Sequence, residues 1–135
     1  MSCYEAPLTV HKNQRGVGNG IRRCIEEGIV KREELFITTK LWMVDWKPDN
    51  VEKAAKQCLE ELQLDYIDLY LLHWPFCCNL PEEEEKKRQE GYFFDYNGLV
   101  ADSPSLRLGY NVENLKKTWG KMEELKERVR VTGSW

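Results

Sequence analysis

No run in this 135-residue chain approaches the roughly 18 consecutive apolar residues that a membrane span needs. The amino terminus, MSCYEAPLTVHKNQRG, also lacks the basic patch and apolar stretch of a secretory leader. Neither sign of charge is in large excess: 20 Lys and Arg stand against 23 Asp and Glu, a net charge of −3. That balance leaves no footprint for a polyanion, so neither nucleic acid nor membrane is an expected partner. The five cysteines, Cys3, Cys24, Cys58, Cys77 and Cys78, include no CxxC and no histidine-spaced pair. Their odd number favours reduced thiols in a reducing, cytoplasmic setting over a disulfide framework or a metal site. Cys77 and Cys78 are the one pair with redox interest, but adjacent cysteines rarely bridge each other. No internal repeat is visible. What is present, 41% apolar and 32% charged residues, suits one ordinary globular core and a single domain over residues 1–135.

Helical and strand periods alternate along the chain. Val17, Ile21, Cys24 and Ile25 recur at helical spacing and Gly28 supplies a stop, predicting an amphipathic helix over 14–27. LFITTK, residues 35–40, has no polar alternation before Lys40 and reads as a strand buried on both faces. Pro48 opens a second helix, extending over 49–62, whose stripe is Val51, Ala54, Ala55, Cys58, Leu59 and Leu62. YIDLYLL, residues 66–72, is the second expected strand. Leu115, Trp119, Met122 and Leu125 mark a third helix over 114–127, and VRVT, residues 129–132, reads as a third strand.

This alternation implies an α/β fold of parallel strands joined by right-handed helical crossovers. Working groups in such sheets gather at the carboxyl ends of the strands. Lys40 and His73 close consecutive strands and are expected on one rim, facing a common cavity. By spacing alone the pair is weak evidence, because a strand-end lysine is commonly a surface cap and a lone histidine commonly a structural one.

Residues 76–110 contain no clear core element and read as a long rim loop. Within it EEEEKKRQE, residues 82–90, sets glutamates four residues before lysines and arginine, the pattern of a solvated helical turn. Asn97-Gly98 is a hairpin signal, and Tyr92, Phe93 and Phe94 give the loop the composition of a flap.

ELFITTKLW, residues 34–42, and LQLDYIDLYLLHWP, residues 62–75, closely resemble the aldo-keto reductases, as do VGNGIRR at 17–23 and LKKTWGKMEEL at 115–125. The resemblance spans roughly residues 11–128, in the family's order. It implies a (β/α)₈ barrel of the TIM type, of which this chain holds about three parallel strands with covering helices. It further implies NADPH-dependent reduction of small-molecule aldehydes and ketones. In that chemistry a tyrosine protonates the carbonyl oxygen, a lysine lowers the tyrosine's pKa, an aspartate pairs with the lysine and a histidine orients the carbonyl. An ammonium beside a phenol stabilises the phenolate, so the ordinary value near 10 moves toward working pH. The resemblance gives Lys40 and His73 the catalytic lysine and histidine roles, and Trp42 and Trp74 the walls of the substrate pocket.

Two departures qualify it. His11 stands where the resemblance places the tyrosine, and Ala6 where it places the aspartate. An unperturbed imidazole titrates near 6.5, so His11 has the chemistry to donate a proton, but a bare Lys40 would drive a nearby imidazolium to deprotonate, which favours a diverged amino-terminal segment. A full barrel takes about 250 residues. The opening strands are read as missing, and Gly133-Ser134 as a remnant of a nicotinamide-binding motif. No cofactor-binding residue is assigned. Two hypotheses follow: an enzyme that completes its barrel with another chain, or a noncatalytic product acting, if at all, by association. The isolated chain is expected to bind NADPH weakly or not at all, and to self-associate through open sheet edges.

Overall fold

The computed structural model describes residues 13–74, 82, 83, 86 and 112–128, together with the backbone of 2–5; of residues 126–128 only the backbone is described. The elements are β1 (Ser2–Glu5), α1 (Gln14–Glu26), β2 (Leu35–Leu41), α2 (Pro48–Leu62), β3 (Leu69–Leu72) and α3 (Val112–Arg128). Short 3₁₀ turns at Arg32–Glu34 and Met43–Asp45 flank β2. The strands form one sheet in the order β1-β2-β3. Both pairings are parallel, with Tyr4 opposite Ile37, and Thr38 opposite Leu69.

The helices end where local backbone chemistry stops them. After α1, Gly28 takes φ +70°, and the N–H groups of Gly28 and Ile29 close on the carbonyls of Ile25 and Cys24 at 3.0 Å each. α2 starts with Pro48 in its first turn, where a missing N–H costs nothing. It ends on Gln63 at φ 56°, whose neighbour Leu64 donates to the Leu59 carbonyl at 3.1 Å. A non-glycine residue carries this left-handed cap, and its side chain reaches Asn19 of α1.

β2 sorts its side chains by strand alternation. Ile37, Thr39 and Leu41 face the helices. Ile37 packs with Ile21 of α1 and Leu62 of α2, while Leu41 joins Tyr70, Val51, Ala55, Met122 and Leu125 beneath α2 and α3. Phe36 and Lys40 fall on the opposite face and are half-buried. Thr38, on that same face, is buried, and Leu35 on the helix face is half-buried, so the expected burial on both faces holds at Ile37, Thr38 and Thr39 and is incomplete at Leu35, Phe36 and Lys40.

Polar groups at the helix–sheet interface satisfy one another. Thr39 Oγ1 donates to Gln14 Oε1 at 2.9 Å, and Gln14 Nε2 donates to Glu61 Oε2 at 2.7 Å. Cys58 Sγ sits among them, 3.7 Å from Gln14 Nε2 and 3.9 Å from Thr39 Oγ1. Burial pushes its thiol from 9.0 up to about 11, against the weaker opposing pull of those two hydrogen bonds. The two-unit rise (11 − 9.0) makes its thiolate about a hundredfold scarcer than that of a free thiol below pH 9. Iodoacetamide at pH 8 is therefore expected to label half-exposed Cys24 in the folded protein and Cys58 only after unfolding. Peptide mapping that found both modified at similar rates would show that the α2–β2 interface opens in the native state.

β1 corrects the reading that the opening strands are missing: four residues, SCYE, pair in parallel with β2. They show neither an apolar run nor alternation, so their pairing depends on β2 rather than on local pattern. Strand 66–72 is shorter than expected, at Leu69–Leu72. Glu82, Glu83 and Lys86 are helical and exposed. The expected strand 129–132, the Asn97-Gly98 hairpin and the aromatic flap lie outside the described residues, as do Ala6, His11, Cys77, Cys78, Gly133 and Ser134 and the side chain of Cys3.

Candidate active site

The carboxyl ends of β2 and β3 carry the candidate residues. Lys40 is opposite Leu71, and Leu41 opposite Leu72, which brings Trp42 beside His73 one step further on. The backbone fixes that step: the His73 N–H donates to the Leu41 carbonyl at 3.1 Å. Lys40 projects from the face of the sheet opposite to Thr39, Leu41 and Tyr70, and His73 directly follows the last residue of β3, about two residues further along. Both are half-buried.

Trp42 lies flat against His73, with ring centroids 4.8 Å apart and planes 29° from parallel. Trp74 meets the same imidazole edge-on at 5.5 Å and 78°. The two tryptophans differ in exposure, 4% for Trp42 against 41% for Trp74, so Trp74 alone offers a broad solvent-facing wall. Burial, and then the Lys40 ammonium, hold the His73 imidazole below its ordinary 6.5. Its neutral form therefore prevails at neutral pH.

A cavity of about 630 Å³ opens beside this rim, walled by Leu72, His73, Trp74, Val112, Leu115 and Trp119. Lys40 and Trp42 are not among its lining residues, so the rim is shared but the cavity is not. α3 contributes half of the named wall. Trp119 and Leu115 were readable in sequence only as the stripe of a packing helix. Nothing local distinguished a cavity wall from core. Among the described residues, no cluster of His, Cys, Asp and Glu could hold a metal ion, and no helix is long and apolar enough to cross a membrane.

Far from this rim, at the amino ends of the same strands, Arg32 and Asp68 form a second polar assembly. Arg32 Nη2 meets Asp68 Oδ2 at 2.7 Å, and the same carboxylate oxygen accepts the Ile37 N–H at 2.8 Å. The guanidinium also bonds the Leu35 and Tyr66 carbonyls and lies 3.7 Å above the Tyr66 ring. In barrels of parallel strands, chemistry gathers at the carboxyl ends, and the opposite end serves stability.

A parallel α/β sheet with helices on one face and polar residues gathered on its carboxyl rim is the architecture of a segment of an α/β barrel. Comparison with known proteins gives the family. The Aldo/keto reductase family model matches residues 11–133. The NAD(P)H-dependent D-xylose reductase of Scheffersomyces stipitis is 42% identical over 120 residues, covering 85% of this chain and 36% of that protein. Aldo-keto reductase family 1 member A1 of Gallus gallus is 33% identical, covering 87% of this chain and 32% of the relative. An aldose reductase structure from Schistosoma japonicum superposes with a TM-score of 0.69 at 31% identity, over 93% of this chain and 36% of that one. The chain belongs to the aldo-keto reductase family, and it spans about a third of the length of these relatives.

Proposed function

We propose that this chain carries the lysine–histidine rim of a carbonyl-reducing site that draws its hydride from NADPH. The observation that supports this reading is the placement of Lys40 and His73 at the carboxyl ends of adjacent parallel strands, near enough for the Lys40 charge to bear on the imidazole. Bound nicotinamide would supply a hydride to the carbonyl carbon. The chain's own groups supply the rest. A neutral His73 donates a hydrogen bond to the carbonyl oxygen, and the Lys40 ammonium stabilises negative charge developing beside it. Trp74 walls the substrate on the open side and Trp42 backs the imidazole. The described rim thus suits the carbonyl end of the reaction, while no described side chain is assigned to the cofactor's phosphates. The relatives include enzymes named for D-xylose and for D/L-glyceraldehyde, which makes small aldehydes the first substrates to try.

With His11 and Ala6 at the tyrosine and aspartate positions, proton delivery is the weak step, and the 135-residue polypeptide alone turns over slowly or not at all. Cys24 and Cys58 are free thiols, which supports a reducing, cytoplasmic setting. Self-association through the outer edges of β1 and β3 is the second reading, favoured by a parallel sheet whose described strands end at β1 and β3.

Titrating tryptophan fluorescence with NADPH tests the first reading directly. The polypeptide is expected to show no saturation at micromolar cofactor. Losing three charge-assisted phosphate contacts, at about 1.5–3 kcal/mol each, weakens binding by at least about a thousandfold. NADPH oxidation with glyceraldehyde then separates the possibilities. Micromolar binding with turnover abolished by Lys40→Met would establish the enzyme and overturn the inactive reading. Micromolar binding with turnover indifferent to both Lys40→Met and His73→Gln would remove the rim from the chemistry.

A further inference from the structure

We infer that Trp42 is a positioning residue for His73: its stacked indole holds the imidazole plane and closes off Nδ1, so that the ring presents Nε2–H at the rim. This goes beyond a role for Trp42 as pocket wall, and it rests on the proposed carbonyl-reducing site. Trp42 is 4% exposed, and the two rings lie 4.8 Å apart and 29° from parallel, so the indole packs against His73 far more than it faces a ligand.

The indole is itself held from below. The Trp42 backbone carbonyl accepts the Asp45 N–H at 3.0 Å in the turn Met43–Asp45, whose Met43 and Val44 are 2% and 6% exposed. Thr118 of α3 then ties the next residue but three, Trp46, by donating to its carbonyl at 2.7 Å. A side chain on so fixed a backbone can fix another. The imidazole's own backbone is pinned by the bond to Leu41.

His73 Nδ1 is buried and has no hydrogen-bond partner among the described residues. A neutral ring protonated on Nε2 leaves Nδ1 as a bare acceptor. The other tautomer, or the imidazolium, would bury an N–H with nothing to receive it. An indole face also attracts a cation, by about 0.5–2 kcal/mol, which pulls toward the imidazolium. Leaving a buried donor unsatisfied costs about 1–3 kcal/mol and more when charged, so the enclosure outweighs the attraction. Among the described residues, Lys40 of β2 opposes protonation of His73, and Lys116 and Glu123 of α3, opposite in sign, border the cavity that His73 lines.

Nitrogen-15 NMR of the imidazoles tests this without cofactor or turnover. The chain has two histidines, and His11→Asn assigns the signals. In the unsubstituted chain His73 is expected to show the Nε2–H pattern and to titrate below 6.5. Trp42→Leu should raise the midpoint toward 6.5 and mix the tautomers, while Trp42→Phe, which keeps a stacking face, should preserve both features. Three results would overturn the inference: an Nδ1–H pattern in the unsubstituted chain, an unchanged midpoint in Trp42→Leu, or a downward shift there, which would mean that cation–π attraction dominates. If Trp42→Leu does not fold, Trp42→Met, closer in volume and also without a ring, takes its place with the same expected and overturning results. Failure of the carbonyl-reducing reading would appear separately, in NADPH oxidation, with the His73 titration intact.

Discussion

Asp68→Ala is expected to destabilise the fold toward the lower end of the about 3–5 kcal/mol that removing one partner of a buried ion pair costs, since this pair is partly buried. Arg32 and Asp68 side chains are only 15% and 13% exposed, so water cannot readily replace the carboxylate beside the guanidinium. The substitution also strips the acceptor from the Ile37 N–H, in a residue with no exposed surface, and a buried N–H left unsatisfied costs about 1–3 kcal/mol of that total. Arg32 keeps its bonds to the Leu35 and Tyr66 carbonyls and its stack on Tyr66, which holds the loss within this range. Asp68→Asn should cost less, because an amide oxygen can still receive the Ile37 N–H while the ion pair is lost. Urea unfolding followed by circular dichroism measures both. A loss below about 1 kcal/mol for Asp68→Ala would show that the assembly behaves like an exposed surface pair. Because these residues sit at the amino ends of β2 and β3, the His73 titration should survive either change under native conditions.

That division between ends was only half legible in the sequence. The three helices were legible because their apolar residues repeat at helical spacing and their ends carry Gly28 and Pro48; the observed Gln14–Glu26, Pro48–Leu62 and Val112–Arg128 differ from the expected bounds by one or two residues. Lys40 and His73 were legible as strand-end polar residues once their surrounding motifs resembled a family. The Trp42–His73 stack was not, because it depends on the register that sets Leu41 opposite Leu72, and register is a property of two segments at once. Gln14 reads as a polar residue at a helix start, yet it is 1% exposed, since Thr39 and Glu61 from two other elements satisfy its amide. Arg32 stands in the charged run KREE, and its partners are Leu35, Tyr66 and Asp68, the last two more than thirty residues away. Long-range polar satisfaction leaves no periodic trace. β1 was invisible because a short strand without alternation acquires its identity from its neighbour.

Gly18→Val is expected to be the most disruptive single change on α1, costing about 3 kcal/mol or more. A Cβ at Gly18 would lie 2.6 Å from the carbonyl carbon of Leu62 and 2.7 Å from its Cα, well inside van der Waals contact. Those atoms are backbone at the end of α2, where Leu62 is fully buried between Ile21 and Ile37, so they cannot swing aside as a flexible side chain would. The helices would have to separate, loosening both that cluster and the Gln14 to Glu61 bond. Gly18→Ala carries the same first clash with less bulk and should cost about 1–3 kcal/mol. The same helix supplies its own control. A Cβ at Gly20 meets nothing within 4 Å. Gly20→Ala should therefore stabilise by up to about 1 kcal/mol, through helix propensity alone. Opposite signs two residues apart on one helix separate steric contact from backbone entropy, which acts equally at both positions. Thermal unfolding of the variants side by side reads the difference, and a Gly18→Ala protein as stable as Gly20→Ala would mean that α1 and α2 do not touch through their backbones.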